Sequence, residues 1–227
     1  MLIVRSVLSG LACVVFGVVL MAPSCQPAKD QTPSLGKREQ ADALIQKAGE
    51  RFAAGDFQGN VRGLKEAATI DPTNPRVWWK LCEGYQLTDE LNLALDACQH
   101  NIELDPAGIS YNSLGLVYQA QKDYTRASQA FEKAVADSPD DPSFNQNLAW
   151  ALLWSKQYEK AVLPAQRLIQ VSSNNPTELT LGYEILGVAC DKLGQTDRAR
   201  EAFRKASLGS CQLGTDSKGD PSINCHQ

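Results

Sequence analysis

Histidine is scarce in this sequence: only His100 and His226 occur among 227 residues. Because histidine is the side chain that most often titrates and binds metals near neutral pH, this scarcity disfavours histidine-based catalysis and histidine-based metal centres. The chain also lacks a glycine-rich phosphate loop, an HExxH helix and a G-x-S-x-G nucleophile turn. We therefore expect a protein that is not an enzyme and that holds no cofactor or metal.

Basic runs are also missing, and the formal net charge is −4. Proteins that bind nucleic acids carry a basic patch or stripe that neutralises phosphates. This charge pattern therefore excludes nucleic acid from the expected partners. The remaining composition, with 43% hydrophobic and 21% charged residues, is that of a globular protein.

Long apolar runs are absent except at the N-terminus, where residues 7–21 follow Arg5, the only charged residue among the first 24. A membrane-spanning helix needs about 20 consecutive apolar residues. This run is shorter, and Ser9, Gly10 and Gly17 interrupt it. One basic residue, an apolar run and then small residues are the marks of a secretory signal peptide. We therefore predict that residues 1–24 are a signal peptide.

The small residues before Cys25 resemble the end of a bacterial lipoprotein signal, although Ala22 stands where leucine is usual. The resemblance implies a lipid on Cys25 and an anchor in a bacterial membrane on its periplasmic side. Gln26, where aspartate would favour the inner membrane, points to the outer membrane. The alternatives are cleavage that releases a soluble secreted or periplasmic protein, and an uncleaved anchor. Residues 25–40 are polar and contain proline, as in a flexible tether.

The segment from 108 to 141 carries two helical faces. Four residues spaced at helical intervals are followed, after a polar turn, by three more and a proline: Tyr111, Leu114, Gly115, Tyr118, then Ala127, Phe131, Ala134 and Pro139. This spacing places each set on one side of a helix. The small residues allow the two helices to approach closely, and the proline ends the second helix.

This pattern resembles the tetratricopeptide repeat, with its large-x2-Leu-Gly-x2-Tyr, Ala-x3-Phe and proline positions. The resemblance implies an all-α, right-handed superhelical solenoid of helical hairpins. The pattern recurs in one register over residues 41–207, in five copies at about 41–74, 75–107, 108–141, 142–175 and 180–207. Residues 208–227 fall outside it, and we expect an irregular tail or one that caps the solenoid.

Several residues depart from the repeat pattern. Asn60 stands where alanine is usual, so the first copy is weaker. Pro164 lies inside a second helix and predicts a kink or a late helix start. Residues 172–178 predict a longer connection between the fourth and fifth copies.

Two cysteines occupy opposed positions of the second copy. Cys82 takes the usual glycine position and Cys98 the usual phenylalanine position, and these positions face each other across a hairpin. Since export permits disulfides, we predict a Cys82–Cys98 bridge. The alternative is two small buried thiols.

The pairing of the remaining cysteines stays open. Cys211 and Cys225 can form a second bridge that ties the tail, and Cys190 with Cys211 is the rival pairing. A zinc site of Cys211, Cys225 and His226 is a further alternative, but its spacing matches no common motif.

The family resemblance places a binding groove on the first helix of each hairpin, at repeat positions 2, 5, 9, 12 and 13. In the second to fourth copies these positions hold Arg76, Trp79, Glu83, Gln86 and Leu87, then Ile109, Asn112, Leu116, Gln119 and Ala120, then Ser143, Gln146, Trp150, Leu153 and Trp154. Asn147, at position 6, resembles an amide that clamps a bound backbone. Tryptophans flanked by amides suit a bound peptide, because the rings bury area and the amides bond its backbone.

We selected eight of these residues as the candidate peptide-binding groove: Trp79, Glu83, Asn112, Leu116, Gln146, Asn147, Trp150 and Trp154. The alternative for Trp150 and Trp154 is packing against the neighbouring hairpin. The resulting hypothesis is a scaffold in the bacterial cell envelope that binds a segment of an envelope protein. The alternative is a structural protein that self-associates through its convex face or its ends.

Overall fold

The computed structural model describes residues 34–206 and the backbone of residues 210–215 and 221–226. Residues 34–206 form five antiparallel helix pairs. The all-α solenoid predicted from the repeats is confirmed. Each pair packs on the next one along the chain. The helices are α1 (Ser34–Ala53), α2 (Phe57–Ile70), α3 (Pro75–Leu87), α4 (Leu91–Leu104), α5 (Gly108–Ala120), α6 (Tyr124–Asp137), α7 (Pro142–Trp154), α8 (Tyr158–Val171), α9 (Pro176–Lys192) and α10 (Thr196–Lys205).

The turn inside each pair has the same backbone conformation. One residue of each turn has a positive φ, between 61° and 78°: Gly55, Asp89, Lys122, Lys156 and Gly194. A non-glycine residue is uncommon in this region, so its recurrence at one point of the pattern marks a shared turn. The backbone therefore repeats five times, including in the first copy, where the sequence pattern is weakest.

The first helices of three pairs begin with the same signal. An asparagine or aspartate accepts a hydrogen bond from a backbone N–H of the first turn, and a proline follows it: Asn74 and Pro75, Asp141 and Pro142, Asn175 and Pro176. The capping oxygen satisfies a donor that has no partner in the helix, and proline has no N–H that would need one. This signal sets where each new pair starts.

In the third and fifth pairs, a small residue on the first helix faces a large one on the second. A Cβ atom added at Gly115 would overlap the ring of Phe131, and one added at Gly187 would overlap the ring of Phe203. Phe131 is fully buried. Glycine fits these two positions because the ring occupies the space that a Cβ atom would take.

The second pair makes the same contact with a covalent bond. Cys82 and Cys98 form a disulfide with a Cα–Cα distance of 5.1 Å, within the usual range for disulfides. Both residues are buried. The bridge occupies the space that glycine and phenylalanine fill in the third and fifth pairs.

Asn60 explains how the first pair tolerates a polar residue at an alanine position. It is 3% exposed, and its Nδ2 donates a hydrogen bond of 2.9 Å to the carbonyl oxygen of Ala48 on α1. A buried amide is tolerated when its hydrogen bonds are made. This bond joins the two helices of the pair.

The hydrophobic core consists of two clusters that meet at α5. The N-terminal cluster extends from Ala41 to Cys98 and includes Val117. The C-terminal cluster extends from Ala127 to Phe203, and Leu116 and Tyr118 pack against it. Helix α5 is therefore shared by both clusters.

Helix α1 begins seven residues before the predicted start of the array. The expectation of a tether up to residue 40 is wrong for residues 34–40, which are helical. Lys37, Arg38, Glu39 and Gln40 have high helix propensity and are exposed, so they extend the helix into solvent. Residues 1–33, which include the predicted signal peptide and Cys25, lie outside the described residues.

Helix α9 also begins earlier than expected, at Pro176, so the long connection predicted for residues 172–178 is wrong. The Asn175 side chain accepts hydrogen bonds from the backbone N–H groups of Thr177 and Glu178. This cap adds one turn at the start of α9. The connection is four residues long, from 172 to 175.

Pro164 lies inside a continuous helix. Helix α8 begins at Tyr158, so the predicted late start is wrong. Proline cannot donate to the carbonyl oxygen four residues earlier. Its ring is buried, and this apolar burial offsets part of the lost hydrogen bond.

The expectation of an irregular tail is wrong for residues 210–215 and 221–226, which form two strands. Strands β1 (Ser210–Thr215) and β2 (Pro221–His226) are antiparallel, and the register pairs Cys211 with Cys225. The five residues between them, Asp-Ser-Lys-Gly-Asp, are rich in turn formers. Strand β1 lies against α9 and α10, where a solenoid needs a cover for its last pair. The side chains of both cysteines lie outside the described residues, so their bridge stays a prediction.

Gly115→Ala tests the close approach of the helices. We expect it to lower the free energy of unfolding by about 1–3 kcal/mol, because the added methyl group overlaps the Phe131 ring. The matched control is Gly49→Ala on α1, where no atom lies within 4 Å of the added carbon. The control should be neutral or stabilising by up to about 1 kcal/mol. Urea unfolding followed by circular dichroism measures both, and equal effects would contradict the packing described for Gly115.

Candidate functional site

A cavity of about 510 Å³ opens between the first helices of the third and fourth pairs. We call it the α5–α7 groove. Helix α3 supplies one residue, and the remainder come from α5, the turn after it, the start of α6, and α7. The lining residues are Gln86, Leu116, Gln119, Ala120, Lys122, Tyr124, Gln146, Asn147, Trp150 and Trp154.

Five of the eight predicted groove residues line this cavity, and three do not. Leu116, Gln146, Asn147, Trp150 and Trp154 are brought together here. Trp79, Glu83 and Asn112 lie elsewhere on the first helices. Each of these three makes a hydrogen bond or an ion pair with a neighbouring side chain.

Trp150 and Trp154 form one aromatic wall of the groove. Their rings are stacked, with centroids 6.0 Å apart and an interplanar angle of 5°. The ring of Tyr124 lies 6.1 Å from that of Trp154 and extends the wall to α6. Both tryptophans are half-buried, and Trp150 also packs against the C-terminal core cluster. Part of each ring is therefore available to a ligand.

The indole N–H groups of these two tryptophans have no hydrogen-bond acceptor among the described residues. Trp78 and Trp79 differ, because each donates its indole N–H within the chain. Buried tryptophan N–H groups usually find a partner. The aromatic wall therefore offers donors as well as apolar surface.

Trp79 serves the packing of α3 on α5. Its Nε1 donates a hydrogen bond of 3.1 Å to Ser113 Oγ. The Nζ atom of Lys80 lies 4.2 Å from the centre of its ring and 3.0 Å from Glu83 Oε2. Glu83 is thus paired with a lysine of its own helix. Neither residue lines the α5–α7 groove, and their assignment to the ligand-binding surface stays a prediction.

Asn112 belongs to the support of the groove. It is 7% exposed, and its Oδ1 accepts a hydrogen bond of 3.0 Å from Asn147 Nδ2. This bond connects α5 to α7 beside the cavity that Asn147 lines. Asn112 itself does not line the cavity, and its assignment to the ligand-contacting set stays a prediction. Leu153, at a predicted groove position, is fully buried in the core.

Lys122 and Tyr124 are groove residues that the sequence analysis missed. They follow the first helix, in the turn and at the start of α6, whereas the predicted groove positions all lie on first helices. The shared turn could have identified them, because it lies immediately after position 13. Tyr124 completes the aromatic wall.

The groove is polar but carries little charge. Among the residues that the structure describes, its lining contains four side-chain amides and one lysine, and it contains no carboxylate. Gln119 Oε1 is buried and has no hydrogen-bond donor in this part of the chain. Gln86 Nε2 donates to the carbonyl oxygen of Cys82 at 3.2 Å. Unpaired buried acceptors are costly. A ligand with N–H groups would satisfy Gln119.

Glu184 extends the same face of the solenoid beyond this cavity. It stands at position 5 of the fifth copy, equivalent to Gln146 in the fourth. Burial raises the pKa of its carboxyl group, and no ion pair with described residues opposes this shift. This face therefore carries a carboxyl group at its α9 end, whose charged form burial disfavours, whereas the described lining of the groove carries one lysine.

Cys190 is a free and fully buried thiol, so the alternative Cys190–Cys211 bridge is not formed. Burial is the main cause that raises its thiol pKa, and Arg198 opposes the shift. A buried thiol with a raised pKa is unreactive.

No three His, Cys, Asp or Glu side chains within residues 34–206 lie close enough to bind a metal ion. The alternative zinc site of Cys211, Cys225 and His226 lies outside this part of the chain. In the same part, none of the helices combines the length and the apolar character that crossing a membrane requires.

Comparison with known families identifies the repeat. Residues 118–178 and residues 182–207 each match a model of the tetratricopeptide repeat. These matches show tetratricopeptide repeats in residues 118–178 and 182–207, and the positive-φ turn shared by all five helix pairs supports a tetratricopeptide-repeat protein.

Solved structures with the same fold are similar over most of their length. MamA has 22% sequence identity and a TM-score of 0.64, with 70% of this chain and 92% of that chain covered. MamA from Desulfovibrio magneticus RS-1 has 19% identity and a TM-score of 0.66, covering 74% and 94%. YrrB, a tetratricopeptide-repeat protein with an unusual peptide-binding site, has 15% identity and a TM-score of 0.63, covering 74% and 86%. At these identities, the likeness establishes the fold alone.

Asn147→Ala tests the support of the groove. We expect it to lower the free energy of unfolding by about 1–3 kcal/mol, because Asn112 Oδ1 would remain buried without a donor. Gln146→Ala is the matched control, since Gln146 is its neighbour in the cavity lining and makes no such bond. The control should change stability by less than about 0.5 kcal/mol. Chemical denaturation of both variants checks this, and an unaffected Asn147→Ala protein would show that the bond does not stabilise the fold.

Proposed function

We propose that this protein is a non-enzymatic interaction scaffold that binds an extended segment of a partner protein in the α5–α7 groove. Trp150 and Trp154 would bury an apolar or aromatic side chain of the segment. The amides of Gln146, Gln119 and Asn147 would bond its backbone. The occupant would thus be recognised by its main chain and by one anchoring side chain.

The observation that carries this proposal is the state of the two tryptophans. They are half-buried and stacked, line a cavity, and have no acceptor for their N–H groups within residues 34–206. Large aromatic residues in partly formed pockets are typical anchors of protein interfaces. Trp79 differs from these two tryptophans. Its indole N–H donates a hydrogen bond to Ser113, so its position is explained without a ligand. YrrB, which shares the fold, has a peptide-binding site.

We further propose that the scaffold acts in the bacterial cell envelope. In this proposal residues 1–24 are removed as a lipoprotein signal, and a lipid on Cys25 anchors the array to a membrane, facing the periplasm and with the outer membrane favoured. A soluble exported protein is the alternative. The support comes from the sequence: the single basic residue, the apolar run and the small residues that precede Cys25. A disulfide in the second pair suits an oxidising compartment.

Photo-crosslinking in the native host tests the groove. Gln146→p-benzoylphenylalanine should yield an adduct with a partner protein, and mass spectrometry should locate the joined segment. A synthetic peptide of that segment is then titrated against the purified protein. Trp150→Ala should weaken binding by roughly 30-fold or more, since anchors of this kind contribute about 2 kcal/mol or more.

Leu93→Ala is the matched control for this titration, because Leu93 is an exposed apolar residue on α4 outside the groove. It should leave affinity unchanged. If Trp150→Ala binds the peptide as tightly as the control does, the groove is not the binding site. A changed oligomeric state of Trp150→Ala with unchanged binding would instead favour a structural role for the tryptophan pair.

Intact mass measurement tests the anchor. The protein from the membrane fraction of the native host should have the mass of residues 25–227 plus acyl chains. Cys25→Ser should remove the acyl mass and release the protein from the membrane. Cys13→Ser, inside the predicted signal, is the control and should leave the mature mass unchanged. A bare chain in the soluble fraction of unsubstituted cells would contradict lipidation.

A further inference from the structure

Leu163 is the most exposed large hydrophobic residue among those described. It is 73% exposed, whereas the next such residue, Leu87, is 47% exposed. It lies on α8, a second helix, and it borders a cavity of about 480 Å³ between α6 and α8. This cavity shares no lining residue with the α5–α7 groove. A second surface therefore exists on another face of the solenoid.

The cavity beside Leu163 has an apolar floor. We call it the α6–α8 patch and define it by Val135, Pro139, Leu148, Leu163, Pro164 and Arg167. Leu148 and Pro164 are buried beneath it, and Val135 is half-buried. The patch thus combines a protruding leucine with an apolar cavity next to it. Isolated exposed leucines are ordinary, whereas contiguous exposed apolar surface is typical of interaction sites. Here the exposed leucine is continuous with the apolar lining of a cavity.

The polar groups around the patch are already paired within the chain. Arg167 forms an ion pair with Asp140 and donates a hydrogen bond of 2.7 Å to Gln170 Oε1. Asn145 donates through Nδ2 to the carbonyl oxygens of Pro139 and Asp141, both at 2.8 Å. The patch consequently presents no unpaired charge among these residues. These residues therefore offer no unpaired charge that a partner of opposite charge could neutralise.

We propose that the α6–α8 patch binds a second copy of this chain, with Leu163 of each copy inserted into the cavity of the other. In a two-fold dimer the same patch serves both copies, so it must contain both the protruding group and its receptor. This patch contains both. Because Arg167 and Asp140 neutralise each other, like charges do not meet when two identical patches face each other. The amides of Gln166 and Gln170 carry donors and acceptors and can pair with their own kind.

This dimer is independent of the groove. It leaves the α5–α7 groove of each copy open, so one assembly would carry two groove ligands. Two linked sites raise the avidity for a partner that presents repeated segments. Self-association was an alternative raised by the sequence analysis. In this proposal it takes place through the α6–α8 patch, on the second helices.

Photo-crosslinking of the full-length protein in its host tests the proposal. Gln166→p-benzoylphenylalanine places the reactive group on the rim of the patch and keeps Leu163. We expect a covalent adduct of twice the protein mass, whose joined peptides both come from this chain. Leu163→Glu in the same background should abolish the adduct, because two buried carboxylates would be desolvated. Leu93→p-benzoylphenylalanine on α4 is the control and should give no such adduct.

Three results would overturn the proposal. They are the absence of a self-adduct at Gln166, a self-adduct that survives Leu163→Glu, and an adduct with a different protein instead. Unfolding of the Leu163→Glu variant is excluded by matching its circular dichroism to the unsubstituted protein, and Leu163→Ser supplies a second, uncharged variant that should also reduce the adduct. The groove crosslink at Gln146 should be retained in Leu163→Glu, so failure of either proposal is distinguishable from failure of the other.

Discussion

Close approach of the two helices within a pair, made in the second, third and fifth pairs, is the constraint on which the fold depends. A small residue on the first helix admits a large one from the second, as Gly115 admits Phe131 and Gly187 admits Phe203. The second pair meets the same requirement with the Cys82–Cys98 disulfide. Because this contact fixes the distance between the helices, it also fixes how the next pair stacks. The contact can be made by packing or by a covalent bond without changing the solenoid.

The same constraint determines which residues are free to bind a partner. Residues on the inner faces of a pair are buried by their hairpin neighbour, so the opposite face of each first helix remains. Along that face the chain uses equivalent positions in different ways. At position 5, Trp79 bonds Ser113, Asn112 bonds Asn147, and Gln146 faces the cavity. The groove is thus a local feature of the third and fourth pairs, although the helices that build it are repeated.

The fold could be predicted from the sequence because its pattern is local. Glycine, aromatic and proline spacings lie within one 34-residue unit, and the Cys82–Cys98 bridge followed from the same spacing. The site was predicted only in part, because Trp79 and Asn112 are held by side chains of the next pair, 34 and 35 residues away. Tyr124 was missed since it follows the helix that carries the groove positions. The early start of α9 depends on a cap at Asn175 that the repeat register alone does not reveal.

The two core clusters meet at α5, so each half of the array has its own apolar core. Each half can therefore unfold locally with its own free energy of opening. The groove takes Gln86 from the N-terminal half and Trp150 from the C-terminal half, with Leu116 of the shared helix between them. A ligand in the groove would oppose the opening of both halves at once. Ligand binding would then make the solenoid more rigid along its length, without changing its backbone conformation.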